Sequence, residues 1–147
     1  MQATVVLHLT GPLDHLRLVW QAGETLLESV AFPDDPEGNR YNILLALQEM
    51  VTNVLRHAYQ RDDAQPVEVR FAVTPERFAV TLRDRGPEFD PLQFVPDPAC
   101  LAGDMPSACG GFGIQIAREV MDELTWRRND GWNELTMGKL LAVPAAR

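Results

Sequence analysis

The chain has 147 residues, of which 46% are hydrophobic and 23% charged, enough to bury the core of one domain. Its formal net charge is −8 and it carries no basic stripe, which argues against nucleic acid as a partner. No apolar run reaches the roughly 20 residues that cross a bilayer, and no basic leader precedes the first apolar run. We therefore expect a single domain over residues 1–147, located in the cytoplasm and without a membrane anchor.

The first half of the chain predicts one strand and two helices. Thr4–Thr10 is rich in β-branched residues and alternates weakly, which predicts a strand. Apolar residues then recur at roughly helical spacing, which predicts a helix from about Pro12 to Ala31 with Gly23 as its weak point. The composition of Pro33–Asn39 is typical of a loop, and a second helix should run from Arg40 to about Tyr59.

The middle of the chain predicts a hairpin followed by a long loop. Pro66–Thr74 and Phe78–Leu82 alternate apolar and polar residues around a short turn, which predicts an antiparallel hairpin with one dry face. The segment 86–110 is rich in proline and lacks periodicity. It is too long for a routine connection, and such loops are often lids or binding loops. We refer to residues 86–110 as the lid.

The last third predicts a helix that includes the apolar residues from Ile114 to Leu124, and a second hairpin. That hairpin joins Leu124–Arg128 to Glu134–Val143 around the turn Asn129–Gly131. Strands and helices are thus partly segregated along the chain. This order predicts an α+β two-layer sandwich, in which one mixed, mainly antiparallel sheet has helices on one face.

Three polar residues of the second predicted helix recur every four positions: Glu49, Asn53 and His57. Residues four apart lie above one another on a helix, so the three side chains form a stripe. The rest of that helix is mostly apolar and should be largely buried. Because unpaired buried polar groups are costly, the stripe needs partners. These can be protein groups, or a metal ion and a ligand.

Two further segments carry chemistry, Asp84–Phe89 after a strand and Gly110–Gly113 before a helix. The first could be an ordinary strand-end turn, and a Gly-rich stretch before a helix is a weak motif alone. Together they suggest more, because bare N–H groups at a helix start attract phosphate and a carboxylate accepts hydrogen bonds from an amino group such as that of adenine. An Asn oxygen suits Mg²⁺, and a Glu one turn away can act on an attacking hydroxyl. The combination indicates a nucleotide site without a Walker-type loop.

The chain resembles the GHKL family of ATP-binding domains, also called the Bergerat fold, and within it the bacterial anti-sigma factor serine/threonine kinases. QEMVTNVLRHAY resembles the N box of that family, RDRGPEFDP its G1 box, and GGFGIQIAREVMDEL its G2 box and the following helix. GWNELTMGKLL resembles its closing strand. The order and separation of these motifs make the resemblance more specific than any one of them, and it covers nearly the whole chain.

The resemblance implies a role for each matched residue. Glu49 would be the catalytic base and Asn53 the Mg²⁺ ligand, while Asp84 would bind the adenine amino group with Gly86 allowing the base to approach. Thr136 would lie near adenine, although an ordinary strand residue fits that position equally well. The backbone amides that would meet the phosphates belong to the glycines of the G2 box, Gly110, Gly111 and Gly113.

Some residues in these motifs have expected roles outside the chemistry. We expect His57 to pack beside the site and Phe89 to anchor the lid, and no role for Cys100 and Cys109 follows from their spacing. From Gly86 to Ala117 the chain has no Lys or Arg, although phosphoryl transfer depends on charge neutralisation. Arg118, one turn into the following helix, or an arginine of a partner chain could supply the missing cation.

The function implied by the resemblance is that of an anti-sigma factor serine/threonine kinase with ATP and Mg²⁺ as cofactors. Such a protein sequesters a sigma factor and phosphorylates an anti-anti-sigma protein of the STAS type, and it is expected to form a homodimer. The cation-free lid favours an alternative, a regulatory module of low or no catalytic activity that works by association. A third possibility is the ATP-binding domain of a split histidine kinase.

Overall fold

The structure, a computed structural model, describes residues 2–11, 14–55, 65–93 and 112–141, with the backbone alone at Phe112. In these ranges the chain forms three helices and five strands. The helices are α1 (His15–Glu28), α2 (Pro36–Asn53) and α3 (Phe112–Val120). The strands are β1 (Ala3–Leu9), β2 (Val67–Val73), β3 (Arg77–Asp84), β4 (Glu123–Asn129) and β5 (Trp132–Leu140).

The five strands form one open sheet in the order β1-β2-β3-β5-β4, and every pair of neighbours is antiparallel. In β2 the residues at alternate positions from Val67 to Val73 are buried, and the register places Leu82, Val80 and Phe78 of β3 on the same face. That face also carries the buried Leu135 and Met137 of β5. The helices cover it, so the predicted α+β two-layer fold is confirmed.

Both predicted hairpins are present. β2 and β3 pair as expected from their alternation, with the dry face toward the helices. β4 and β5 are joined at Asp130 and Gly131, whose φ angles of 50° and 81° are those of a tight hairpin turn. β5 begins at Trp132, two residues before the predicted start, and ends at Leu140 rather than Val143.

The start of α2 corrects the sequence-based boundary, since Pro36–Asn39 was expected to be loop and is helical. Asp35 is the N-cap residue, and its carboxylate accepts a hydrogen bond from the N–H of Gly38 at 3.3 Å. Pro36 follows at the first helical position, where a missing N–H and a fixed φ are favourable. The composition of the segment is that of a loop, but its order of residues is that of a capped helix start.

α1 and α3 are both shorter than predicted. α1 begins after the N-cap Asp14, whose carboxylate accepts the N–H of Arg17 at 3.0 Å. α3 ends at Val120, where Lys139 of β5 donates to the last carbonyl at 2.9 Å. None of the described helices is both long and apolar enough to cross a membrane.

Candidate functional site

The polar stripe of α2 lies at the edge of the core. Glu49 and Asn53 are each half-buried, whereas their neighbours Met50 and Val51 are 3% and 0% exposed. The two polar side chains therefore keep access to solvent while the same helix packs against the sheet with its apolar residues. A half-buried position lets a polar group meet a ligand without the full cost of burial.

The start of α3 packs directly against this stripe. A methyl group on Gly113 would lie 3.2 Å from Cγ of Glu49 and only 2.3 Å from its Cβ, and the second distance is shorter than non-bonded carbon atoms approach. The first turn of α3 therefore rests on α2 at Glu49, and only a residue without a side chain fits at position 113. Two motifs separated by 64 positions (from 49 to 113) in the sequence are brought into contact.

The N-terminus of α3 has the properties of an anion site. The first four N–H groups of a helix lack partners within that helix and carry the positive end of its dipole. The helix begins at Phe112, and its second residue, Gly113, lies beside Glu49. A phosphate could accept hydrogen bonds from these groups, which is the chemistry expected of the G2 glycines. Gly110 and Gly111 lie outside the described residues.

Arg118, the cation nearest to this helix start in sequence, is already engaged. It lies exposed on α3, and its guanidinium donates to the carbonyl oxygen of Leu92. Leu92 belongs to a short 3-10 turn, Pro91–Gln93, at the end of the segment that follows β3. Arg118 thus connects α3 to the first part of the long loop, at Leu92.

Asp84 is the last residue of β3 and is 7% exposed, on the sheet face that the helices cover. Its Oδ1 atom accepts the N–H of Gly86 at 2.9 Å and the side-chain amide of Asn133 at 3.0 Å. Burial raises the pKa of this carboxyl above its ordinary value, and the hydrogen bonds from Asn133 and Gly86 and the charge of Arg128 oppose that rise. A buried acceptor of this kind suits a ligand amino group.

Asn133, which motif matching did not single out, is the centre of this cluster. It faces Asp84 across the β3–β5 register and is 5% exposed. Its amide nitrogen donates to Asp84, to the carbonyl of Pro87 at 2.9 Å and to that of Gly86 at 3.4 Å. Its oxygen accepts the N–H of Phe89 at 3.3 Å. Asn is depleted in strands, so an Asn near the start of β5 was a signal of a hydrogen-bonding role.

Arg128 is the second residue that sequence reasoning missed. It stands opposite Asn133 in the β4–β5 register, and its guanidinium donates to the carbonyl of Gly86 at 2.7 Å. Its charge also favours the ionised form of Asp84. The first residues of the loop after β3 are therefore hydrogen-bonded both to Asn133 of β5 and to Arg128 of β4.

Thr136 is not brought together with the other predicted site residues. It pairs with Thr81 in the β3–β5 register, and the two hydroxyl oxygens lie 3.0 Å apart. Side chains alternate along a strand, so Thr136, three residues from Asn133, points to the opposite face of the sheet. That face carries ion pairs such as Arg83–Glu68 and is not covered by the helices. The residue that faces Asp84 across this register is Asn133.

The remaining expectations concern residues at or beyond the described boundaries. Phe89 is 52% exposed, and its backbone N–H rather than its ring makes the hydrogen bond to Asn133. His57, Cys100, Cys109 and the part of the lid from residue 94 to 110 lie outside the described residues.

The donor set of the described residues fits a magnesium ion only in company with a phosphate ligand. No group of three or more His, Cys, Asp or Glu side chains in the described ranges could hold a metal by itself. Asn53 offers one amide oxygen on the rim of the core, one turn from Glu49. Mg²⁺ is usually bound through one or two protein oxygens together with waters and substrate phosphates, and the stripe matches that pattern.

The fold and the positions of these clusters define a two-layer α+β domain with an open antiparallel sheet and polar groups gathered on its covered side. The chain belongs to the histidine kinase-like ATPase domain family, whose profile matches residues 10–139. The GHKL resemblance found in the sequence motifs is thereby confirmed.

The curated relatives that the chain matches are named as protein kinases. The chain is 28% identical over 112 residues to the serine/threonine-protein kinase BtrW of Bordetella bronchiseptica. This match covers 76% of this chain and 78% of BtrW. It is 30% identical over 95 residues to the serine-protein kinase RsbW of Bacillus subtilis and 33% identical over 95 residues to that of Bacillus pumilus. These two matches cover 61% of this chain and 58% and 59% of the relatives.

A solved structure supports the same fold. The RsbU and RsbW domains of a Mycobacterium tuberculosis protein match with a TM-score of 0.63 and 17% sequence identity. The match covers 97% of this chain and 34% of that one, so the likeness concerns the architecture of one domain.

Proposed function

We propose that this protein is a serine/threonine protein kinase that binds Mg-ATP and also acts as an anti-sigma factor. The observation that carries the proposal is the contact between Gly113 and Glu49, which sets a helix N-terminus against a half-buried carboxylate. A terminal phosphate at that N-terminus would lie beside a candidate base. Family membership and relatives named as serine and serine/threonine kinases support the same reading.

Each cluster would contribute one part of the reaction. Asp84 would accept a hydrogen bond from the adenine amino group, and the first turn of α3 would hold phosphate oxygens. Asn53 would hold Mg²⁺ with its amide oxygen, and the ion would neutralise phosphate charge. Glu49 would orient and deprotonate the attacking serine or threonine hydroxyl.

The protein substrate proposed is a small antagonist of the anti-anti-sigma, STAS-type class, and the second partner is a sigma factor. Phosphorylation adds about −1.5 to −2 charges to its target. Because this chain already has a net charge of −8, a phosphorylated partner would be repelled and released. We propose that the protein works as a homodimer in the cytoplasm, in keeping with the family resemblance.

A phosphotransfer assay tests the catalytic claim. The protein is incubated with Mg-ATP carrying a labelled terminal phosphate and with the antagonist encoded beside its gene, and labelled serine or threonine is the expected product. Glu49→Gln should abolish transfer while leaving ATP affinity within about threefold, because only the base is lost. Glu37→Gln, an exposed acid in the first turn of the same helix, is the matched control and should retain activity. If Glu49→Gln transfers phosphate at the wild-type rate, Glu49 is not the base.

A second candidate is a binding module that regulates by association without transferring phosphate. It is favoured by the engagement of Arg118 with Leu92, since no Lys or Arg occurs from Gly86 to Ala117 to meet the terminal phosphate. Titration calorimetry and the phosphotransfer assay together separate the two candidates: no Mg-ATP affinity below millimolar, or binding of Mg-ATP with no transfer to any partner, supports the module. Measurable transfer rejects it.

A further inference from the structure

Asn133 joins the candidate adenine-binding carboxylate to the loop that follows it. Its amide nitrogen lies 3.0 Å from Oδ1 of Asp84 and 2.9 Å from the carbonyl oxygen of Pro87, and its oxygen lies 3.3 Å from the N–H nitrogen of Phe89. The side chain is 5% exposed, so water does not replace these partners. One buried amide therefore fixes both the carboxylate and residues 86–89.

The orientation of that amide is determined by its partners. The N–H of Phe89 can only donate, and the carbonyls of Gly86 and Pro87 can only accept. The oxygen of Asn133 must therefore face Phe89, and its NH₂ group must face Asp84. The carboxylate is thereby assigned the role of acceptor.

The hydrogen bonds to Asp84 are also unequally shared between its two oxygens. Within the described ranges, both protein donors, the N–H of Gly86 and the NH₂ of Asn133, reach Oδ1. Oδ2 is thus the oxygen that can serve a ligand. An ionised carboxylate presents an acceptor there, whereas a protonated one can present an O–H donor.

The balance between those two forms depends on the neighbours of Asp84. Burial favours the neutral form and raises the pKa of the carboxyl, while Asn133, Gly86 and the charge of Arg128 favour the ionised form. Without the amide of Asn133, burial would raise the pKa of Asp84 further. The neutral form would then be more favoured than in wild type, and a proton on Oδ2 suits a carbonyl oxygen better than an amino group.

We propose that Asn133 is a positioning residue that makes the site select a 6-amino purine over a 6-oxo purine, by holding Asp84 as an oriented acceptor. This inference rests on the proposed nucleotide binding. It assigns the selection to a residue that touches the carboxylate rather than to the carboxylate alone.

The first test compares the affinities of Mg-ATP and Mg-GTP by calorimetry. Wild-type protein should prefer ATP, and Asn133→Ala should reduce the ATP-to-GTP affinity ratio about tenfold, as expected for loss of one hydrogen bond to a charged group. Thr81→Ala, on the strand of Asp84 but the opposite face, is the matched control and should keep the wild-type ratio. Circular dichroism establishes that each variant is folded.

A second variant and a nucleotide-free measurement keep the test decisive. Asn133→Asp is nearly isosteric, so it can fold if Asn133→Ala does not, and it retains the acceptor for Phe89 but places a second carboxylate beside Asp84. It should lower the affinity ratio further at neutral pH. Carbon-13 NMR titration of the ligand-free protein should place the pKa of Asp84 higher in either variant than in wild type.

The outcomes distinguish the proposed nucleotide-binding function from the proposed role of Asn133 in selectivity. A wild-type protein that binds neither nucleotide overturns the proposed function and the selectivity with it. A wild-type protein that prefers ATP, with a folded Asn133 variant that keeps that preference, overturns this inference alone. An unchanged pKa of Asp84 in the variants also overturns it.

Discussion

The contact between α2 and α3 predicts that Gly113→Ala destabilises the fold. The added methyl carbon would lie 2.3 Å from Cβ of Glu49 and 2.8 Å from Cε of Met50. Non-bonded carbon atoms prefer separations of about 3.5–4.0 Å. The end of Met50 can rotate away, but Cβ of Glu49 is fixed to the helix backbone. The two helices would therefore have to separate by on the order of 1 Å.

The magnitude follows from two opposing contributions. Overpacking a core contact costs typically about 1–3 kcal/mol. Alanine has a helix propensity up to about 1 kcal/mol better than glycine, which offsets part of that cost. We expect a net loss of about 1–2 kcal/mol in the free energy of unfolding. For a domain of this size, this lowers the melting temperature by about 2–8 °C.

Urea unfolding followed by circular dichroism measures the effect, and Gly23→Ala is the matched control. A methyl group on Gly23, within α1, would lie 3.0 Å from Cδ2 of Leu44 and 3.5 Å from Cε1 of Phe71, both ends of side chains. These ends can shift, so this variant should be neutral or up to about 1 kcal/mol more stable. If Gly113→Ala has the wild-type urea midpoint, or if both variants lose the same stability, the steric reasoning is refuted.

Two further variants test the electrostatics of the site and the start of α2. Asp84→Asn should raise the melting temperature of the ligand-free protein at pH 7, because it removes a buried charge and keeps an oxygen for Asn133. It should also abolish selective ATP binding in calorimetry. A melting temperature below that of wild type would contradict the first expectation. Asp35→Ala should cost about 1–2 kcal/mol in thermal unfolding, because Asp35 caps Gly38 and has a left-handed φ of 37°. The exposed Asp34→Ala is its control, and equal losses in the two variants would exclude a capping effect.

The boundaries of the elements show what local pattern can and cannot predict. The alternation in β2 and β3 identifies their buried face directly, because side chains on a strand repeat every two residues. Composition failed at Pro36–Asn39, because proline and acidic residues are common both in loops and in the first turn of a helix. The order Asp35-Pro36 was the distinguishing signal.

The motifs of the site were predictable from the sequence, but which of their residues contact one another was not. Glu49 and Gly113 were each selected from sequence, yet their contact depends on how α3 packs on α2. The partner of Asp84 depends on the register between β3 and β5, which joins residues 49 positions apart. A shift of one residue turns every side chain of a strand to the other face, so motif position alone did not identify Asn133 as the neighbour of Asp84.

Asp84 gives stability and ligand affinity opposite dependences on pH. Its native pKa is raised by burial, so the native state binds more protons than the unfolded state from the ordinary value of 3.8 upward, and its contribution to stability falls as pH rises through that window. An adenine amino group would favour the ionised form, so ATP affinity should rise with pH up to the native pKa. As pH rises across this range, the melting temperature of ligand-free wild type should fall relative to that of Asp84→Asn. The ATP affinity of wild type should rise, and Asp84→Asn should remove that dependence. An ATP affinity of wild type that stays constant or falls as pH rises would mean that Asp84 does not meet the base, because a ligand that donates to the ionised carboxylate must gain affinity when Asp84 ionises.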